Sequence, residues 1–241
     1  MVIVERKGSK TKNPVVVAGF PGPGFVGNVA AKHLTMNLDM REIAHVESRL
    51  IPPMKLIVRG ELRPLNPLKI YTNLKGNLII LTEDTLGATS PAGFWDIARA
   101  LVTWLREKNA KEVIFLEGVL SSAQAEVGMF VYSNDYQKIQ TLQSHGIEQL
   151  SDGAISGISA GMIDECKEQR IPWMVLLSST TDLVNKPDFQ AAAAIVEALN
   201  KILGINVDTD ALREMDLQTR DLTERRGGLL HSFKRVVLGE S

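Results

Sequence analysis

The sequence predicts an α/β fold, with a mostly parallel central sheet, helices on both faces, an antiparallel hairpin arm and a C-terminal helix. Three observations carry that reading. Short β-branched runs alternate with amphipathic helical stretches, the pattern of βαβ units. Four of the runs, Val15-Val16-Val17, Leu78-Ile79-Ile80-Leu81, Val113-Ile114-Phe115-Leu116 and Met174-Val175-Leu176-Leu177, are apolar at consecutive positions, as strands covered on both faces require. The chain has 241 residues, 44% of them hydrophobic, which suits one α/β domain spanning 1–241, with about 206–241 as a helix and tail extension.

Each element follows from local chemistry. Pro14 to Gly19 is the first buried strand. Gly and Pro crowd residues 19–27, and Phe25 to Leu38 reads as a helix with Val26, Ala30, Leu34 and Leu38 on one stripe. Ile43 to Val46 is a strand. Lys55-Leu56-Ile57-Val58 and Lys69-Ile70-Tyr71, split by Gly60, Pro64 and Pro67, read as the two strands of the hairpin arm. Asn77 to Leu81 forms the next buried strand, ending in Glu83-Asp84. Ser90-Pro91 is a helix start, a serine cap before a proline at the first helical position. Phe94, Ile97, Ala98, Leu101 and Leu105 follow at helical spacing.

Val113 to Leu116 is a strand ending at Glu117-Gly118, and Phe130-Val131-Tyr132 is a weaker one. A polar helix spans Asp135 to Ser144, and another runs from about Ala160 to Gln169 into the strand Trp173 to Leu177. Pro187 opens the alanine-rich helix that Gly204 ends. Asp208 to Arg226 is the last helix, closed by Gly227-Gly228.

Composition narrows the function classes. With 27 basic and 28 acidic residues the net charge is −1, so no basic excess points to nucleic acid or to an anionic membrane. No stretch approaches the roughly 20 apolar residues of a membrane span, and Met1 to Lys7 lacks a signal peptide's apolar region. Cys166 is the only cysteine, which favours a reducing compartment. The expectation is a soluble cytoplasmic protein.

The loudest motif is Gly22-Pro23-Gly24-Phe25-Val26-Gly27, a literal GxGxxG between a strand and a helix, with Glu47 20 residues beyond Gly27. A dinucleotide site places glycines, a helix N-terminus and an acid in that order. Against it, Phe20-Pro21 widens the turn, and Pro23 lacks an N–H to offer phosphate. The competing reading is a Gly/Pro turn that seats a helix tightly on the sheet.

A second constellation gathers at strand ends: Gly19, Glu83-Asp84, Glu117-Gly118 and Ser178-Ser179-Thr180-Thr181. In open α/β sheets ligands bind at that edge. Glu117 suits a general acid or base if its surroundings are dry; the same residue types also cap helices and turns. A ligand site would combine Gly22, Gly24, Gly27, Glu83, Asp84 and Glu117. His33, His45, His145 and His231 lack metal-ligand spacing, and neither a GxSxG elbow nor a Walker motif occurs, so no metal or cofactor is expected. The tail residues Leu229, Leu230, Phe233, Val236 and Val237 form an interaction candidate, against the protein's own sheet or another subunit.

The order of these motifs resembles the proteasome assembly chaperone family in its archaeal branch. The resemblance rests on Gly19 to Gly27 with Ala30-Ala31-Lys32-His33-Leu34, on Ile155-Ser156-Gly157-Ile158-Ser159-Ala160-Gly161, on Ile171-Pro172-Trp173 through Leu177, and on Pro187 with its alanine-rich helix. Leu203-Gly204-Ile205-Asn206-Val207-Asp208 and the last helix complete it, to about Arg226. It implies a phosphorylase-like α/β fold that binds proteins without catalysis, forming homo-oligomers and complexes with core proteasome α subunits. Some relatives dock through a tail with a penultimate tyrosine, whereas this chain ends Leu238-Gly239-Glu240-Ser241. Residues 178–181 read Ser-Ser-Thr-Thr where a Gly-Glu-Thr-like turn is expected. The leading expectation is a self-associating scaffold. The alternatives are an enzyme acting on nucleosides or phosphate-bearing molecules at the strand-end crevice, and a dinucleotide-binding protein.

Overall fold

The computed structural model describes residues 1–8, 10–51, 54–83, 91–121, 127–181 and 186–218. At its centre four strands run parallel: β2 (Val15–Gly19), β7 (Leu78–Glu83), β8 (Glu112–Leu120) and β11 (Trp173–Thr180), in the order β7-β2-β8-β11. On the β7 side follow β6 (Leu68–Asn73), β3 (Met40–Glu47) and β1 (Val2–Glu5), each antiparallel to its neighbour. Beyond β11 lie β9 (Met129–Ser133), antiparallel to it, and the two-residue β10 (Glu148–Gln149). The α/β architecture is the expected one, as a nine-stranded mixed sheet with a parallel core and antiparallel wings.

Helices cover both faces because the central strands are apolar on both. Val17, Ile80, Ile114 and Leu116 face α1 (Val26–Asn37) and α5 (Phe189–Leu203), with α3 (Tyr136–Gln143) and Leu212 of α6 (residues 210–218) on the same side. Val16, Ile79, Val113, Phe115 and Val175 face α2 (Pro91–Glu107) and α4 (Gly157–Gln169). Alternate residues of one strand thus feed opposite cores. Asp135 and Asp188 cap α3 and α5 by accepting backbone N–H groups three residues on, and Gly204, in left-handed geometry, closes α5.

Three boundaries differ from the sequence expectation. The hairpin arm pairs β4 (Met54–Val58) with β5 (Glu61–Leu65), not with the Lys69-Ile70-Tyr71 segment, which enters the main sheet as β6. Arg59 (φ 52°) and Gly60 (φ 81°) supply the two positive dihedrals of a tight two-residue hairpin loop, which fixes that partner. The burial of Leu68, Ile70 and Thr72 claims β6 for the core. Secondly, β8 runs on from Leu116 to Leu120 and β11 from Leu177 to Thr180, so Glu117 and Ser178 lie within strands rather than after them. Finally, Val2 to Glu5 forms an edge strand on β3, held where Glu5 accepts from the Trp104 indole at 2.5 Å and pairs with Lys108 at 2.7 Å.

Candidate functional site

The turn between β2 and α1 crosses the carboxyl edge of the parallel core, and its glycines are pressed against protein. A Cβ on Gly19 would sit 2.1 Å from the Gly27 carbonyl oxygen, and one on Gly27 would sit 1.9 Å from the Leu116 carbonyl oxygen. On Gly118 it would meet the Pro23 carbonyl oxygen at 2.2 Å. The three residues form a seam along which α1 lies on β2 and β8 closer than any side chain permits. A single 3-10 turn, Pro23–Phe25, bridges the gap. Gly24 (φ 58°) and Phe25 (φ 50°) are left-handed, the Phe25 N–H donates to the Gly22 carbonyl at 2.9 Å, and the Asp188 N–H donates to the Gly24 carbonyl at 2.8 Å. Thr180 and Asp188 crowd Gly24 from β11 and the start of α5.

That arrangement does not fit a dinucleotide. Glu47 ends β3, which lies three strands from β2, because β7 takes the neighbouring place a Rossmann acid needs. Glu47 is exposed, with Oε1 3.2 Å from His45 Nε2. The sequence could not show this, since spacing along the chain carries no strand order.

Of the predicted acids, Glu117 is the most altered by its surroundings. Its side chain lies on the α2/α4 face with only 6% of the residue exposed. Its Oε2 is 2.8 Å from where a Gly22 Cβ would stand, so a side chain at residue 22 would make this carboxyl shift. Burial pushes its pKa up to about 8, opposed by the Ser159 hydroxyl of α4, which is close but outside strict hydrogen-bond geometry. At neutral pH Glu117 is therefore a protonated acid able to donate one hydrogen bond.

Glu83 is 3% exposed on the same face, roughly 10 Å from Glu117 by two strand spacings, with β2 between them. The Asn28 amide ties this edge together by donating to the Glu83 carbonyl at 2.6 Å and to the Thr82 hydroxyl at 3.4 Å. Ser178 is fully buried, and its hydroxyl lacks a hydrogen-bond partner among the described residues. The structure thus joins Gly22 to Glu117 and Gly24 to Thr180, while Glu83 stands apart across β2. Asp84 lies outside the described residues, as do Leu229, Leu230, Phe233, Val236 and Val237 of the tail.

Asn28, Ser159 and Asp188 belong to this edge but are not singled out by sequence reasoning. Asn28 directly follows the glycine motif, and Asp188 follows Pro187 in the cap position, so both had a local signal. Ser159 had none beyond its small-residue context. Elsewhere, the predicted minor candidates have structural roles. His33 is buried, with Nε2 2.6 Å from the Asp208 carbonyl oxygen, and Cys166 is a buried thiol pushed up to about 12 by burial. Among the described residues no group of acids, histidines or cysteines is placed to hold a metal ion, and no helix is long and apolar enough to cross a membrane.

The fold and this edge define a class: an α/β domain with a parallel four-stranded core and antiparallel wings, whose first crossover is locked to the sheet by close-packed glycines. The chain belongs to the PAC2 family, whose model matches residues 16–225. It is similar to Pyrococcus furiosus PbaA, an archaeal homolog of proteasome-assembly chaperone. The two are 32% identical with a TM-score of 0.81, over 94% of this chain and 92% of PbaA. The fold is shared with Pyrococcus furiosus PbaB, an archaeal proteasome activator, with a TM-score of 0.82 at 24% identity over 94% of this chain and 98% of PbaB. The Methanocaldococcus jannaschii protein MJ0106 is 27% identical over 212 residues, 88% of this chain and 84% of its own length. The family resemblance read from the motifs is therefore correct.

Proposed function

We propose that the protein is a non-enzymatic, self-associating scaffold of the cytoplasm, a single α/β domain that binds core proteasome subunits in the manner of an assembly chaperone. The observation that carries this reading is the 32% identity to PbaA sustained over nearly the full length of both chains. The glycine turn agrees with it, since its glycines face protein: Gly22 the Glu117 carboxyl, Gly24 the Thr180 hydroxyl and Gly27 the Leu116 carbonyl of β8. The arm supplies a surface for association: Ile57 and Leu62 are cross-strand partners, 77% and 68% exposed. Paired apolar side chains left in water are what an interface covers.

The deciding experiment is a pull-down of proteasome α subunits from the source organism with the purified protein, its native mass recorded alongside. Capture of α subunits by a self-associated bait is the expected result. A folded oligomer that captures none overturns the proteasome reading for this member.

One observation favours a second reading, small-molecule chemistry at the strand-end crevice: Glu117 is an acid kept protonated near neutral pH beside the turn. The two readings separate at Glu117→Gln. The scaffold keeps α-subunit capture unchanged, whereas a crevice enzyme loses binding of its nucleoside or phosphate-bearing ligand while remaining folded.

A further inference from the structure

At the opposite, amino-terminal end of the parallel strands, α3 and α5 stand apart and leave a cleft of about 410 Å³. Its walls are apolar: Leu142 and Ile147 on the α3 side, Ala198, Ile202 and Leu203 on the α5 side, with Met174 of β11 below. This volume lies within the range of small-ligand sites, which join a largely apolar lining to a few polar groups that fix orientation.

The charges around the cleft select the ligand's sign. Glu112, the one acid lining it, accepts the Lys138 ammonium in an ion pair, so these two cancel. His145 is committed at Nδ1 to the Thr141 carbonyl, 2.8 Å away. Lys201 remains, and among the described residues it makes no ion pair within 4.0 Å and no hydrogen bond. Its acidic neighbour one turn back on α5, Glu197, accepts from Arg213 at 2.5 Å and from the Thr209 hydroxyl at 2.9 Å, and Lys201 adds only a weaker through-space attraction to that carboxylate. The cleft therefore offers an apolar floor and one cation, Lys201, whose ammonium is in direct contact with no acid among the described residues.

We infer that the cleft between α3 and α5 binds a medium-chain monocarboxylate, its alkyl chain lying over Met174 and Ile202 and its carboxylate meeting Lys201. The site is far from the glycine turn and is independent of the proteasome reading.

The test is isothermal titration of the full chain with octanoate, below its micellar concentration, with octylamine as the probe of equal length and opposite charge. Saturable one-to-one binding of octanoate is expected, with octylamine at least about tenfold weaker, the loss that follows from exchanging a charge-assisted contact for repulsion. Lys201→Glu should weaken octanoate by a similar factor; its side chain is exposed, so folding is retained. Ala198→Phe should block the cleft. Absence of saturable octanoate binding overturns the inference, as does equal binding of octylamine or an unchanged Lys201→Glu affinity. Binding of an apolar peptide but not octanoate overturns it too, and would assign the cleft to a polypeptide.

Discussion

Exchanging the Glu117 carboxyl for an amide removes one proton-binding group from a site that otherwise keeps its shape. The folded-state pKa is raised, to about 8, so between the ordinary carboxylate value of 4.5 and about 8 the folded protein holds a proton that the unfolded chain has lost. The stabilisation is complete below the lower value and falls as pH rises through that window, by up to about 1.4 kcal/mol per pH unit. Urea unfolding at pH 5 and pH 8.5 should therefore show wild type losing stability with rising pH more steeply than Glu117→Gln. Parallel curves would mean that the carboxyl is not dry. Gly27 makes a steric prediction at the same scale. A Cβ 1.9 Å from the Leu116 carbonyl oxygen forces α1 off β8, so Gly27→Ala should cost about 3 kcal/mol or more and lower Tm by roughly 6–12 °C. Cys166, whose thiol burial pushes up to about 12, should react with a thiol reagent only after unfolding. Labelling of the native protein within minutes would contradict its burial.

At the scale of elements, the arm and the first crossover behave differently because one is covered and the other is not. The β4–β5 arm forms its own two-stranded sheet, and its exposed pair, Ile57 and Leu62, makes little contribution to the core. Ile57→Asp with Leu62→Asp should reduce the native mass toward that of a monomer while shifting Tm by no more than about 2 °C, since exposed substitutions generally change stability by under about 0.5 kcal/mol. An unchanged oligomer would place self-association on another surface. The arm also shows where sequence reading is weakest. The Lys55 to Val58 strand was legible, but its partner was not, because strand runs are local and pairing is decided by the Arg59-Gly60 loop and by which segment the core can bury. Strand lengths were misread for a related reason: backbone pairing carried β8 through Glu117 and β11 through Ser178, polar residues that an apolar-run criterion excludes.

Across the whole molecule, the order β1-β3-β6-β7-β2-β8-β11-β9-β10 puts the chain's first buried strand between two later ones. The carboxyl edge therefore assembles residues from positions 19 to 188, and the amino edge forms the α3–α5 cleft from positions as distant as Val15 and Leu203. Neither assembly has a signature in a linear motif. The α/β class, by contrast, was legible because doubly apolar strands demand helices on both faces, and the family because its motifs recur in order along most of the chain.

By itself the sequence determined the alternation of buried strands and helices, the helix start at Asp135, the Gly204 stop and the family. These depend on side-chain periodicity and local dihedral preference, which are properties of neighbouring residues. Tertiary structure alone decided that Gly27 of the GxGxxG turn packs against the Leu116 carbonyl oxygen while Gly22 and Gly24 face the Glu117 and Thr180 side chains, that Glu47 stands three strands away from them, and that Glu117 is buried beside Gly22 and Ser159. Those outcomes depend on which strands become neighbours, and strand order is settled by the energy of burying all the faces at once.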